Sequence, residues 1–296
     1  MIDSKISIRF FDDKEIRAVW DEENNKWWFS ALDVVGVLNE QNDCENNCNC
    51  WKYLKARLKN GNNEQGSVTA QLKFTAPDGK KQLSDVLDND AIINLAKQFP
   101  NSRATKFLDW WLTYSDNTVD GQSKKKAYNF WENNPVANKD VGTTKALQQI
   151  HACIFGGLYD FAGKIRDKTI SKGGFTFCLA QYLNNALKMI DKMSETSFNE
   201  IVDKYVEMNV AHPFMEGNGR ATRIWLDLIF KKRLKKCVDW SKINKNDYLN
   251  SMTKSAADST NIRALLQNAL TDKIHDIDIY MKGIEYSYYY EEESNA

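Results

Sequence analysis

The chain has 296 residues, and its 40 lysines and arginines balance its 40 aspartates and glutamates. This length allows about two domains of typical size, and the balanced charge excludes a global attraction to nucleic acid or to an anionic membrane. Because neither a secretory signal nor an apolar run of about 20 residues is visible, we expect a cytoplasmic protein without a membrane partner.

The first part of the chain predicts a small domain of mixed α and β structure. Alternating apolar residues predict a strand at 6–11 and two hairpins, at 18–29 and at 71–83. Ser30 is placed to cap a helix, and further helices are expected at 51–59, 90–99 and 104–114. Three cysteines lack a fourth ligand at zinc-like spacing and predict a polar loop with reduced thiols, namely Cys44, Cys48 and Cys50.

Residues 118–126 are polar and basic, a composition typical of a linker. The sequence therefore predicts one domain over 1–117 and a second over 127–296. In the second domain, apolar spacing predicts helices over 143–158, 178–193, 197–211 and 221–234, with a β-hairpin flap after the first. The expected fold class is α+β: a mainly α-helical domain with a β-hairpin flap, preceded by a small mixed α/β domain.

The segment from His212 to Arg220, HPFMEGNGR, joins two of these helices and has the composition of an anion site. A glycine-rich loop that enters a helix presents free backbone N–H groups and the positive end of the helix dipole. Arg220 and Arg223 share one helix face, where two guanidinium groups suit a polyphosphate. Glu216 beside them requires a bridging cation, usually Mg²⁺, and His212 has a pKa suited to accepting a proton.

This segment resembles the Fic family motif, HxFx(D/E)GNGRxxR, and matches it at every defined position, namely His212, Phe214, Glu216, Gly217, Asn218, Gly219, Arg220 and Arg223. The resemblance extends from about residue 143 to the C-terminus. It implies a protein adenylyltransferase that transfers AMP to a hydroxyl group of a target protein, with ATP as co-substrate and Mg²⁺ as cofactor.

The resemblance also implies a role for each loop residue. His212 deprotonates the target hydroxyl, Glu216 holds Mg²⁺, and Phe214 anchors the loop in the core. The nucleotide phosphates are contacted by Gly217, Asn218, Gly219, Arg220 and Arg223. Gly219 favours AMP transfer, because the related Doc kinases have lysine there and transfer phosphate. The flap would clamp the target by strand addition through Lys164, Ile165, Thr169, Ile170, Gly173 and Gly174.

The C-terminal stretch contains a second motif, in which Ser287 and Glu291 are four residues apart. It resembles the family's inhibitory motif (S/T)xxxE(G/N), although Glu292 takes the place of Gly or Asn. The resemblance implies that Glu291 pairs with Arg223 and removes its grip on the γ-phosphate. Tyr288 is a candidate for self-modification once the tail is released.

Residues 1–117 resemble the BRO-N domain of phage antirepressors, chiefly through 27–38 and 83–86. That family is linked to DNA binding, yet the segment is slightly acidic, and its basic face is formed by Lys52, Lys55, Arg57 and Lys59. Weak DNA contact through this domain, docking of a target protein, and self-association of the chain all stay open. The alternatives for the whole protein are a DNA-binding regulator with a toxin-like Fic module, and a Fic enzyme that transfers another nucleotide or removes AMP.

Overall fold

The computed structural model describes residues 6–21, 26–39, 44–60, 69–75, 81–99, 101–113 and 118–291. The chain forms two compact units, Met1–Ser115 and Asp116–Ala296. The first unit is an antiparallel sheet with helices and the second is mainly helical, which confirms the predicted α+β class. Within the described ranges, no helix is long and apolar enough to cross a membrane.

The first unit contains a five-stranded antiparallel sheet in the order β1-β2-β3-β5-β4. The strands are β1 (Ile6–Phe11), β2 (Lys14–Asp21), β3 (Lys26–Ser30), β4 (Thr69–Thr75) and β5 (Lys81–Leu87). The helices are α1 (Ala31–Leu38), α2 (Cys44–Asn60), α3 (Asn89–Ala96) and α4 (Ser102–Thr113). One apolar core joins the sheet to these helices and includes Ile16, Phe29, Val34, Leu54 and Phe107.

Local signals account for much of this unit. Ser30 caps α1 as predicted, with its Oγ accepting the N–H of Asp33 at 3.4 Å. Both predicted hairpins form, with turns that lie outside the described residues. The β1–β2 hairpin was not predicted; its turn is formed by Asp12 and Asp13, with φ values of 46° and 60°. Two left-handed residues in a two-residue turn suit the twist of a hairpin, and aspartate tolerates that conformation better than most residues.

The expected cysteine loop is instead the start of α2, so that prediction was wrong. The helix begins at Cys44 and its first turns are held by Asn47, whose Oδ1 accepts a hydrogen bond from Asn39 at 3.4 Å. Further along α2, Lys55 of the predicted basic face is paired, because its Nζ lies 2.6 Å from Asp85 Oδ1. This pairing removes one cation from the face considered for DNA contact.

The second unit contains eight α-helices within the part of the chain that the structure describes. They are α5 (Val119–Asn129), α6 (Thr144–Phe155), α7 (Ala180–Asp191), α8 (Phe198–Ala211), α9 (Asn218–Leu234), α10 (Lys245–Lys254), α11 (Thr260–Ala269) and α12 (Ile277–Tyr289). Two short antiparallel pairs join them, β6 (Ser171–Lys172) with β7 (Phe175–Thr176), and β8 (Cys237–Val238) with β9 (Leu270–Thr271).

The predicted linker at 118–126 is in fact most of α5, and this correction has a clear physical cause. Thr118 caps the helix by accepting the N–H of Gly121 at 3.0 Å. Lys124 is buried and its Nζ lies 3.0 Å from Glu285 Oε2 of α12. The hydroxyl of Tyr280 donates to the carbonyl of Ala127 at 2.6 Å. The polar composition was misleading, because Lys124 is buried in an ion pair with a residue from a distant part of the chain.

Helix α9 lies at the centre of the second unit and packs against α6, α8 and α12. Its fully buried side chains include Ala221, Trp225, Leu226, Ile229 and Phe230. The helices predicted for this region all form, and Ser197 begins α8 with a complete capping box with Glu200. Helix α9 begins three residues before its predicted start. The predicted loop therefore lies at the junction of the two central helices.

Candidate active site

The loop between α8 and α9 makes its turn through two left-handed residues. His212, with φ of 48°, ends α8, and Gly217, with φ of 77°, precedes α9. A Cβ on Gly217 would lie 2.3 Å from Cε2 of Phe155, so a side chain is excluded by contact as well as by φ. The first N–H groups of α9 have no acceptor within the helix, which is the arrangement that binds anions.

Asn218 fastens this loop from within. Its Oδ1 accepts the N–H of Phe214 at 2.8 Å, and its Nδ2 donates to the carbonyl of Phe214 at 2.8 Å. Because the side chain is buried and both ends of the carboxamide are bonded to Phe214, Asn218 shapes the loop at the start of α9.

A second histidine, which was not predicted, packs against the loop and bonds to its backbone. His151 of α6 is fully buried and stacks on Phe214 with 3.8 Å between ring centroids. Its Nδ1 accepts the N–H of Gly163 at 2.9 Å, so the proton is on Nε2, which donates to the carbonyl of Glu216 at 2.9 Å. Burial lowers the pKa of His151 to about 4, so the ring is neutral. Its only sequence signal was a histidine on the apolar face of α6.

His212 has the geometry of a neutral base. Its ring stacks on Phe177 with 3.7 Å between centroids and 13° between planes. Its Nδ1 lies 3.2 Å from the carbonyl of Asn209; since a carbonyl only accepts, Nδ1 carries the proton and Nε2 keeps its lone pair. Burial lowers the pKa of His212 to about 4, although the bond to Asn209 acts in the opposite direction. At pH 7 the ring is therefore ready to accept a proton.

Arg166 connects the flap to this histidine and was also missed. The side chain is buried, and its guanidinium donates to four backbone carbonyls, those of Lys168 at 2.5 Å, Cys178 at 2.5 Å, Ala211 at 3.1 Å and His212 at 2.7 Å. Two of these carbonyls flank the flap and two end α8. Arg166 thus holds both sides of the flap base against the end of α8. A single arginine in a predicted hairpin carries no pattern that would have revealed this.

The flap is a short, exposed hairpin. Gly173 and Gly174 form its turn with φ values of 58° and 80°. The side chain of Thr169 accepts the N–H of Ala180 at 3.2 Å, and the carbonyl of Ile170 accepts the N–H of Phe177 at 3.2 Å. The other two predicted flap residues, Lys164 and Ile165, lie before the hairpin and are exposed and half-buried respectively.

Arg220 is buried at the start of α9 and holds two carboxylates. Its Nη2 donates to Glu216 Oε1 at 3.2 Å, and its Nη1 donates to Asp120 Oδ1 of α5. Its Nε is also buried but has no hydrogen-bond partner among the described residues. The sequence gave no reason to expect Asp120 beside Arg220.

Glu216 is the acidic group available for a metal. Its side chain is 55% exposed, and its Oε1 accepts the N–H of Gly217 at 2.9 Å. Among the described residues, no group of three or more His, Cys, Asp or Glu side chains could hold a metal ion by itself. A single exposed carboxylate beside an anion site fits Mg²⁺, which takes one or two carboxylates and completes its shell with phosphate and water. The site fits a metal that arrives with a nucleotide.

The structure brings Arg223 together with the C-terminal motif. Its Nε donates to Ser287 Oγ at 2.7 Å, and its Nη2 donates to Glu291 Oε1 at 2.6 Å. Tyr248, which was not predicted, accepts from Nη1 at 3.2 Å. Burial opposes the charge on Glu291, but Arg223 overcomes this effect and lowers the pKa of the carboxyl. A Cβ on Gly219 would lie 2.1 Å from Glu291 Oε1, so glycine at 219 leaves room for that carboxylate.

The tyrosines around Glu291 anchor the end of α12. Tyr288 is buried and its hydroxyl donates to Ser123 Oγ of α5 at 2.9 Å. The hydroxyl of Tyr290 lies 2.8 Å from the carbonyl of Ile243. In this structure the predicted self-modification site, Tyr288, is therefore inaccessible, and modification there requires α12 to leave its place.

These features define a class of protein: a helical domain built around a glycine-rich, arginine-flanked loop with a neutral histidine at one end. Residues 142–230 match the model of the Fic/DOC family. The chain therefore contains a Fic domain.

Several curated proteins are similar to this chain. "Probable protein adenylyltransferase y4lH" of Sinorhizobium fredii is 27% identical over 133 residues, which cover 41% of this chain and 67% of that protein. "Probable protein adenylyltransferase Fic" of Escherichia coli is 32% identical over 92 residues, or 27% and 46% of the two chains. Among solved structures, BepC of Bartonella tribocorum is 19% identical with a TM-score of 0.45, covering 52% of this chain and 84% of that one.

Proposed function

We propose that this chain is an adenylyltransferase that moves AMP from ATP to a hydroxyl group of a target protein and is held inactive by α12. The main support for the proposal is His212, which is neutral and keeps its lone pair on Nε2. Glu216 and Arg220 follow it by four and eight residues, at the N-terminal end of α9. The names of similar proteins agree with this activity.

The reaction follows from the position of the base. Nε2 of His212 takes the proton of the target hydroxyl, whose oxygen forms a bond to the α-phosphorus. The bond from that phosphorus to the bridging oxygen breaks, and pyrophosphate leaves. A positioned general base contributes a rate factor of about 10²–10⁴. Because His212 is neutral down to a pH near 4, it acts without prior loss of a proton.

The phosphates are held by the start of α9. Free N–H groups at Asn218, Gly219 and Arg220 stabilise negative charge on the α-phosphate. The guanidinium groups of Arg220 and Arg223 bind the β- and γ-phosphates. Glu216 would hold Mg²⁺, and the ion would supply positive charge to neutralise the polyphosphate. Gly219 stands where the related Doc kinases have lysine, and this difference supports AMP transfer over transfer of phosphate.

The target segment pairs with the exposed flap. Main-chain hydrogen bonds to Ser171–Lys172 and Phe175–Thr176 hold an extended chain with little demand on its sequence. Arg166 fixes the flap base to the carbonyl of His212, so a docked hydroxyl lies in register with the base. The identity of the target is then set mainly by surfaces outside the loop.

Inhibition follows from the bonds made by Arg223. With Ser287, Glu291 and Tyr248 bound to its guanidinium, Arg223 is not free to grip a phosphate. ATP then binds without its γ-phosphate anchored, and the α-phosphorus is not aligned with the target hydroxyl. The protein has low basal activity until the Glu291 carboxylate moves aside.

Differential labelling tests this proposal. Glu291→Gly protein is incubated with Mg²⁺, a protein extract, and ATP labelled at either the α- or the γ-phosphate; Glu291→Gly/His212→Ala is the matched control. Protein label from α-labelled ATP alone, lost in the control, is the expected result. Protein labelled from the γ-phosphate would show that the enzyme transfers phosphate and not AMP. Equal labelling with and without His212→Ala would show that the loop takes no part in the reaction.

A further inference from the structure

Helix α5 places three polar side chains on one face. Asp120, Ser123 and Lys124 are three and four residues apart and so lie on the same side of the helix. Asp120 binds Arg220 of α9, Ser123 accepts a hydrogen bond from Tyr288 of α12, and Lys124 pairs with Glu285 of α12. One face of α5 therefore contacts both the nucleotide loop and the inhibitory helix.

The contact with α12 fixes the position of α5. Lys124 is 8% exposed and Glu285 only 1% exposed, and their charged atoms lie 3.0 Å apart. Separating such a pair strands a buried charge, which is strongly unfavourable. Tyr288 adds a 2.9 Å hydrogen bond to Ser123, the residue immediately before Lys124. The buried contacts of Ser123 and Lys124 therefore hold α5 in a position that brings Asp120 to Arg220.

Arg220 is the group that this aspartate affects. The guanidinium is 5% exposed, whereas the Asp120 side chain is 66% exposed and approaches from the solvent side. Nε of Arg220 is buried and has no partner among the described residues, so the two carboxylates around it leave the guanidinium incompletely satisfied. A phosphate oxygen approaching Arg220 meets the negative charge of Asp120 and competes with it for Nη1.

We propose that Asp120 is a further inhibitory carboxylate of the nucleotide site, which competes with bound ATP for Arg220 as Glu291 competes for Arg223. The inference rests on the proposed function, because it takes the anion at Arg220 to be a nucleotide phosphate. Removing Glu291 frees only one of the two arginines. The Glu291→Gly protein therefore still binds ATP less tightly than a protein in which Asp120 is also removed.

Calorimetric titration of ATP with Mg²⁺ into the full chain tests this competition. Glu291→Gly is compared with the same protein carrying Asp120→Asn, Asp120→Ala or, as matched control, Asp203→Asn. Asp203 pairs with Arg263 on a partly exposed surface formed by α8 and α11, so its loss breaks an ion pair of the same kind. We expect both Asp120 variants to bind ATP about two- to fivefold more tightly, the range for a partly exposed ion pair, and Asp203→Asn to leave the affinity unchanged.

The outcomes separate this inference from the proposed function. If ATP binds to every variant but the Asp120 variants are no tighter than Asp203→Asn, Asp120 does not compete with the nucleotide. Weaker binding in the Asp120 variants would also overturn the inference, since Asp120 would then orient Arg220 for phosphate. If neither Glu291→Gly nor any variant binds ATP, the proposed function itself fails.

Discussion

The bond between Glu291 and Arg223 gives the sharpest prediction for the function of this protein. Glu291 is 26% exposed and Arg223 is 2% exposed, and Glu291 Oε1 lies 2.6 Å from Nη2. Replacing Glu291 with glycine removes the carboxylate without inserting a new group beside Gly219. The remaining contacts of Arg223, with Ser287 and Tyr248, are to neutral oxygens.

The expected size of the effect follows from the kind of bond. A hydrogen bond between charged groups contributes about 1.5–3 kcal/mol to the state that contains it, which corresponds to a factor of about 10–150 in the population of that state. We expect Glu291→Gly to raise the initial rate of AMP incorporation by such a factor. Glu291→Gln keeps the shape of the side chain and loses its charge, so it should raise the rate by a factor near the lower end of this range.

The assay is incorporation of α-labelled AMP into protein at limiting ATP, with Glu207→Gln as control because Glu207 is an exposed glutamate of α8 outside the site. Wild-type and Glu207→Gln rates should be equal and low. A Glu291→Gly rate equal to wild type, in a protein of unchanged thermal stability, would refute the inhibitory role of the carboxylate.

Three further predictions concern groups around the loop. Phe177→Ala uncovers His212, so the lower pH midpoint of kcat/KM in activated protein should rise from near 4 towards 6.5; an unmoved midpoint contradicts the role of the stack. Arg166→Gln should lower kcat about tenfold or more with little change in the KM for ATP, and Arg166→Lys should recover part of the loss; a change in KM alone contradicts this. His151 has a lowered pKa in the folded state, so its stabilising effect is present above pH 6.5 and is lost as pH falls towards 4. Urea unfolding should show that His151→Gln removes about 2 kcal/mol of the stability difference between pH 7 and pH 5, and an unchanged difference contradicts it.

The sequence could predict features whose causes are local. The capping box at Ser197, the cap at Ser30 and the hairpin turn at Gly173-Gly174 each depend on residues within a few positions of one another. The turn at Gly217 is local only in part, because its φ of 77° favours glycine, whereas the ring that excludes a Cβ there belongs to Phe155 of the distant helix α6. Resemblance then placed Arg223 and Glu291 in one site, which spacing alone could not do.

The remaining features depend on partners that meet only in the folded chain. Arg220 and Asp120 are 100 residues apart, and Lys124 and Glu285 are 161 residues apart. Without these partners, α5 has the composition of a linker. The bonds of the Asn218 side chain to the backbone of Phe214 are likewise not evident from the motif. The BRO-N resemblance of residues 1–117 stays a prediction, as do DNA contact and self-association.

Product balance tests the central claim most directly. Activated Glu291→Gly protein is incubated with ATP, Mg²⁺ and a protein extract, and released pyrophosphate is measured together with AMP bound covalently to protein. We expect equal amounts of the two products, and we expect both to be lost when the same protein also carries His212→Ala. Release of ADP with phosphate bound to protein, or product formation that does not depend on His212, would contradict it.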